Sequence, residues 1–314
     1  MSDNCGLNTG LPISGATGAL YFRTRDYCSE NLEFNTNITY TATESDSVVF
    51  DADAKTITCS NATFVTEGFL VDQPITISNS TNNNKTFTIA SLTETEITVK
   101  ENIIDEIDAD GVAITGDAYI KDSNKPFNLI GYEADDLITV SGSTSNNNTY
   151  TVTNVDSEGV YVFLKEGSNV TTISDVDVKV TLSMPAPGRK IAGVQNWEIS
   201  YETSTAETST FDSGKYSEFE PIRESWSGSA DKIKIFGKNI DKYKGKKMNG
   251  VFFEKWNAEP TGADPAIYWT GDLIMTNISI SVNNNEVVGE NMSFQGSKNL
   301  TYVVKEDAWP TAIT

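Results

Sequence analysis

The sequence predicts an all-β protein, and two observations carry that prediction. Val, Ile, Thr, Phe and Tyr are abundant throughout, and Gly, Asn, Asp and Ser clusters punctuate them at roughly eight- to twelve-residue spacing, as short strands joined by tight turns require. In addition, one strand-turn-strand segment occurs twice. Phe64 to Leu92 aligns without gaps on Phe127 to Val155 at an offset of 63. Phe64, Gly68, Asp72, Ile75, Ser78, Asn83 and Thr86 recur as Phe127, Gly131, Asp135, Ile138, Ser141, Asn146 and Thr149. Phe69, Phe87 and Ile89 become Tyr132, Tyr150 and Val152, so each position keeps its character.

Within each copy Ile75, Ile77, Phe87 and Ile89, or their counterparts, alternate with Thr and Ser at period two, which turns one face inward and one to water. The Asn run between the strands supplies side-chain caps and positive-φ positions. A third strand follows, ending at Glu101 and at Glu166. This divides the chain into a first β module at 44–104, an acidic linker at 105–125, a second module at 126–181, and a remaining domain made of 1–43 and 182–314.

The texture changes after Pro185. All five tryptophans, Trp197, Trp226, Trp256, Trp269 and Trp309, lie beyond it, and a shift of that kind marks a domain boundary. Strands are expected at 194–201, 217–236, 250–256, 267–282 and 287–304, with a polar loop at 202–216 and a short helix near Lys238 to Lys247.

The composition removes whole classes of function. The 314 residues contain no histidine, which excludes Ser-His-Asp and Cys-His nucleophiles, histidine bases and most zinc sites. No phosphate-binding loop, dinucleotide fingerprint or nucleophile elbow is present. Only a hydrolase with a carboxylate pair survives, and no spacing marks such a pair among the 44 acidic residues. The expectation is a protein that is not an enzyme and needs no cofactor. A net charge of −21 opposes general nucleic-acid binding. Cys5, Cys28 and Cys59 are too few and too irregular for a disulfide framework, and suggest a reducing compartment. No apolar run reaches the ~20 residues of a membrane span, and neither a leader nor an anchor is expected.

Three features invite a functional reading beside a plainer one. Lys232, Lys234, Lys238, Lys242, Lys244, Lys246 and Lys247 form the only basic cluster; it is either a docking patch for an acidic surface or an ordinary solvated face. Glu106, Asp108, Asp110, Gly111 and Asp117 approach the spacing of a calcium loop, although Glu in first place and Asp in last favour an acidic linker and no metal. Trp197, Phe211, Phe219, Trp226, Phe252, Phe253 and Trp256 read as core and inter-subunit packing rather than a sugar platform, each buried ring contributing roughly 2 to 3 kcal/mol.

The stretch VQNWEISYE from Val194, the loop that follows it, and YWTGDLIMTNISISVNNNEVVGENMSFQGSKNLTY from Tyr268 resemble the major tail tube proteins of long-tailed, siphovirus-like bacteriophages. The resemblance covers about 110 residues directly and rests on a pattern of features, not one diagnostic motif. It implies a tail-tube β-sandwich or barrel with one short flanking helix, into which two tandem small β modules are inserted near the N-terminus. The modules are similar to small β domains appended to phage tail proteins. The resemblance further implies a virion protein assembled in the host cytoplasm, a ring-forming homo-oligomer of hexameric type, stacked into a tube. Its partners would be the tape measure and tail terminator proteins, with DNA passing through unbound. The loop of Thr203, Ser204, Thr205, Phe211, Asp212, Gly214 and Tyr216 would then reach the next subunit or ring. The rival reading is a modular β-sandwich adhesin or tail-fibre protein that binds host glycans.

Overall fold

The computed structural model describes residues 19–309 except 25, 44–45, 109–110, 125, 166, 187, 192, 209–216, 218, 234–239, 241–242, 258 and 283–287. The chain opens with β1 (Ala19–Arg23), β2 (Tyr27–Asn35), β3 (Ile38–Thr41), β4 (Val48–Asp51), β5 (Thr56–Cys59) and the single helical turn α1 (Phe64–Glu67). It continues through β6 (Pro74–Ser78), β7 (Thr86–Leu92), β8 (Glu96–Val99), β9 (Glu106–Asp108), β10 (Ala113–Gly116) and β11 (Ala118–Lys121). A second helical turn α2 (Phe127–Ile130) precedes β12 (Leu137–Ser141), β13 (Thr149–Val155), β14 (Tyr161–Leu164) and β15 (Ile173–Ser183). Last come β16 (Arg189–Lys190), β17 (Val194–Glu207), β18 (Phe219–Ile233), β19 (Lys247–Lys255), β20 (Ala266–Ser281), β21 (Gly289–Gly296) and β22 (Thr301–Lys305). The protein is all-β, as expected.

These elements form two compact units, one of residues 24–185 and one of 1–23 with 186–309. In the first unit each sequence repeat is a module. The second module is a closed barrel in the order β11-β14-β13-β12-β15-β2, and the first is an open sheet in the order β3-β10-β6-β7-β8-β5-β4-β9. Taken from the other end, β2-β15-β12-β13-β14-β11 matches β3-β10-β6-β7-β8-β5 strand for strand. The duplication therefore spans six strands, well beyond the ungapped match. Phe64, Ile75, Ile77, Phe87 and Ile89 fill one core and Phe127, Ile138, Val140, Tyr150 and Val152 the other.

The repeated polar residues build the same joints twice. Gly68 and Gly131 close their helical turns at φ 102 and 87, the left-handed conformation glycine adopts without steric cost. Asp72 and Asp135 follow at φ 65 and 70, a region Asp tolerates. Buried Asn83 donates to the Ile104 carbonyl at 2.9 Å and accepts from the Ile104 amide at 2.9 Å. Asn146 does the same to Thr171, at 2.9 and 2.8 Å. A carboxylate then accepts from each turn. Glu106 takes Ser80 Oγ at 3.0 Å, the Thr81 amide, the Asn82 amide at 3.0 Å and Asn83 Nδ2 at 2.8 Å; Asp175 takes Ser143 Oγ at 2.6 Å.

The division at 105–125 needs correction. Strands β9 and β10 complete the first module and β11 belongs to the barrel, so this segment is sheet and not linker. The boundary at 43 is displaced as well: β2 pairs with β11 and β15, and β3 pairs with β10. The first module is thus inserted into the second, between β2 and β11. Asp117, the one residue between β10 and β11, secures that crossing. Its amide donates to the Pro74 carbonyl at 3.0 Å, its carbonyl accepts Gln73 Nε2 at 2.7 Å, and its carboxylate accepts Thr153 Oγ1 at 2.6 Å.

In the second unit the sheet order is β16-β1-β19-β20-β21-β18-β17, with β22 paired to the first part of β20. Strands β1, β19 and β20 are covered on both faces. Leu20, Phe22, Phe252, Leu273 and Met275 pack on one side with Trp226, Met292 and Phe294. Ala19, Tyr21, Val251, Phe253, Ala266 and Tyr268 pack on the other with Trp256 and Trp309. Trp256 stacks on Trp309 at 5.7 Å and on Tyr21 at 5.0 Å, and burial pushes the Tyr21 phenol up to about 12. Gly271 and Gly296 flank the Trp226 indole, where a Cβ on either would overlap the ring. That ring donates Nε1–H to the Lys298 carbonyl at 2.6 Å. Of the helix expected at 238–247, residues 238–239 and 241–242 lie outside the described residues, and 243–246 form a turn leading into β19. The strand expected at 287–304 is two strands, broken where the Ser297 amide bonds the Asp272 carbonyl at 2.8 Å.

The two modules are tied through Asp72. Its carboxylate accepts Lys100 Nζ at 2.5 Å and the Ser157 amide at 2.9 Å, and its carbonyl accepts Asn154 Nδ2 at 2.7 Å. Burial opposes ionisation of Asp72, but the bonds from Lys100 and Ser157 outweigh it and hold the carboxyl below its ordinary value of 3.8. A depressed folded pKa stabilises the contact above the unfolded value and loses that stabilisation as pH falls through the lowered one. Asp72→Asn is expected to lower the thermal midpoint at pH 7 and to flatten its decline below about pH 4. Melting curves of the two proteins across pH 2 to 7 check this; superimposable acid limbs would refute it.

Candidate functional site

The most unusual surface lies along one side of the second unit's sheet. Strand β17 pairs with β18 through its whole length, from Val194 opposite Lys232 to Glu207 opposite Phe219. No other described strand pairs with β17, so its outer side is a sheet edge. On the inner side β18 meets β21 only from Ser227 to Ile233. Residues 219–226 therefore have β17 as their sole strand partner among the described strands, and beyond the buried Trp226 the hairpin runs on as a two-stranded ribbon.

That ribbon displays apolar side chains. Tyr201 is 51%, Phe219 60% and Ile222 67% exposed. The register slips between Ser204 opposite Arg223 and Thr205 opposite Pro221, leaving Ile222 as the extra residue of a bulge. Proline has no amide to donate, so it is tolerated in a sheet at such irregularities. Tyr201 Oη donates to Glu224 Oε2 at 2.6 Å, and this bond to a carboxylate raises the phenol's pKa.

Beside the ribbon's base the apolar face of the sheet stays open. Trp197, Ile199, Tyr201, Glu254, Trp269 and Leu300 line a groove of about 580 Å³. Trp269 donates Nε1–H to Glu254 Oε1 at 2.7 Å and packs edge-on against Tyr302 at 5.0 Å.

The residues singled out from the sequence distribute unevenly on this frame. Thr203, Ser204 and Thr205 are exposed, but they are strand and not loop, paired with Glu224, Arg223 and Pro221. Phe211, Asp212, Gly214 and Tyr216 lie outside the described residues. So do Lys234, Lys238 and Lys242 of the basic cluster. Lys244 and Lys247 are exposed and Lys246 is half-buried. Lys232 cannot serve a surface patch: its side chain is 1% exposed and its Nζ lies 2.6 Å from Glu290 Oε2, directly across the β18–β21 pair. A charge is held in a core only beside its opposite.

The calcium spacing does not assemble either. Glu106 is consumed by the turn at 80–83 and Asp117 by the crossing between modules, while Asp108 pairs through its backbone with Val48 and Asp110 is not among the described residues. Among those residues no cluster of three metal-ligating side chains occurs. Of the aromatics, Trp226, Phe252 and Phe253 are core, Trp197 and Trp256 pack partly against it, and Phe219 is exposed. The groove itself was missed. Its signal was the alternation of Trp197, Ile199 and Tyr201 with Glu198, Ser200 and Glu202, which marks one apolar face on an acidic strand.

Fold and edge together define an all-β protein whose terminal sheet is unfinished along one side. No family model and no curated protein matches the chain. Two solved structures are similar to part of it: the tail of an empty gene transfer agent particle with C6 symmetry, at 16% identity and a TM-score of 0.30, and the virion of a native gene transfer agent particle, at 15% and 0.28. Each similarity covers 37% of this chain and 88% of the other; likeness of this degree carries no functional weight.

The buried ion pair yields a direct test. Lys232→Met removes the cation opposite the buried Glu290 carboxylate and is expected to cost about 3 to 5 kcal/mol in urea unfolding, whereas adding Glu290→Leu restores most of the loss. Equal stability of the single and double variants would contradict this account.

Proposed function

We propose that this chain is a structural subunit of a phage tail, polymerising through its Trp-rich unit into stacked rings that form the tail tube. The observation that carries the reading is the β17 edge with its uncovered ribbon. An exposed edge fourteen residues long, next to Phe219 and Ile222, is a liability in a lone molecule and a joint in an assembly. The sequence resemblance to tail tube proteins supports the same conclusion. With a net charge of −21, a bore lined by this protein repels the DNA backbone, so a genome is conducted without adhering. The protein then resides in the virion after assembly in the host cytoplasm, with further copies of itself, tape measure and terminator proteins as partners, in rings of hexameric type. It performs no catalysis.

The nested modules act as a decoration on this subunit. They are inserted between β1 and β16, which pair antiparallel with Phe22 opposite Arg189, so the ends of the insertion meet in a hairpin. Replacing residues 24–187 by an Asn-Gly turn is expected to leave rod formation intact in negative-stain images. Failure of the shortened protein to form rods, though folded by circular dichroism, would make the modules part of the wall. A cut at 43 and 182 instead strands β2 and β3 without their sheets.

The ribbon is tested separately. Phe219→Ser with Ile222→Ser changes only exposed positions and is expected to keep the thermal midpoint while reducing sedimenting polymer at least tenfold. Beaded monomers from the unaltered chain would favour the adhesin reading instead.

A further inference from the structure

We infer that the groove between Trp197, Ile199, Trp269 and Leu300 receives the ribbon tip of a second copy of this chain, a contact that specifies how the proposed tube subunit joins its neighbour and rests on that proposal. The two surfaces match in kind. The tip offers Phe219 and Ile222, 60% and 67% exposed, and the groove offers two indoles and two aliphatic side chains in about 580 Å³.

A copy cannot fill its own groove. Tyr201 forms the groove wall, and Phe219 pairs with Glu207, six residues further along the same ladder and past the bulge at Ile222. At roughly 3.3 Å per residue Phe219 stands about 20 Å beyond Tyr201 along the ladder, and Ile222, beside Ser204 and Thr205, about 10 Å. The occupant therefore comes from another molecule.

One local charge pairing suits the match, although Glu202, Glu207, Glu220 and Glu224 leave the ribbon acidic as a whole. Two chains of −21 repel each other, and contact needs local relief. Arg223 is the one basic residue of the ribbon at 201–208 and 219–226. Glu254 stands in the groove, and Glu198 and Glu202 are exposed along the strand that forms its wall. A tip seated in the groove carries the guanidinium into that acidic rim.

Because tip and groove are different surfaces, the contact is head-to-tail. Unless two copies exchange tips reciprocally about a two-fold axis, such a contact propagates to a closed ring or an open stack. That property gives a mixing experiment. Ile222→Asp spoils the tip but keeps the groove, and Leu300→Asp spoils the groove but keeps the tip. In sedimentation velocity each variant alone is expected to remain monomeric, while an equimolar mixture forms dimers, one sound contact per pair, and no longer polymer. Rods from either variant alone, or a mixture that stays monomeric, would overturn the inference.

Should Leu300→Asp not fold, a second measurement decides. In a Cys5→Ser, Cys28→Ser background, Ile222→Cys with Leu300→Cys is expected to oxidise into a ladder of covalent multimers. Rods that form yet yield no ladder overturn the groove contact and leave the tube reading standing. An unaltered chain that never self-associates overturns both.

Discussion

Backbone pairing at strand edges is the constraint on which this structure depends. An extended strand carries donors and acceptors on both sides, and each must meet another strand, a side chain or water. The protein meets that requirement in three ways. The second module closes into a six-strand barrel and has no edge. The first keeps the same strand order but remains open, extended by β4 and β9. The Trp-rich unit pairs β17 on one side only, and in the proposed assembly the requirement on its outer side passes to a neighbouring molecule.

Side-chain polar groups do the equivalent work within each module. Asn83 and Asn146 bind both backbone groups of a residue on a returning segment, and Glu106 and Asp175 accept from the turns beside them. A buried polar group left unpaired costs about 1 to 3 kcal/mol, so these joints fix register as well as stability. The same reasoning explains why acidic residues that resemble a cation loop are spent inside the fold. Glu106 and Asp117 already have donors, and those donors are amides, hydroxyls and an amide side chain.

The Trp-rich unit combines a rigid centre with an open margin. Its middle strands are sandwiched between two aromatic cores, while Tyr201 to Thr205 of β17 and Phe219 to Glu224 of β18 are exposed. Rigidity at the centre holds the ribbon in a defined direction, which lowers the entropy lost when a partner binds. Lys232 and Glu290, buried opposite each other, mark where the sheet proper ends and its β18–β21 pairing is anchored.

The sequence by itself determined the all-β class, the duplication and the change of unit near Pro185, because each is written in local periodicity and turn chemistry. Part of the candidate site was legible too: Trp197, Ile199 and Tyr201 alternate with Glu198, Ser200 and Glu202, and that alternation marks an apolar face. Tertiary structure alone decided that one module is threaded into the other, that residues 105–125 are sheet, that Thr203 to Thr205 are strand, and that Lys232 is buried. In each case the deciding partner is distant along the chain: β2 for β11, β18 for β17, Glu290 for Lys232. Local pattern specifies that a strand exists and which face is apolar; which edge it joins is a long-range choice that only the folded chain expresses.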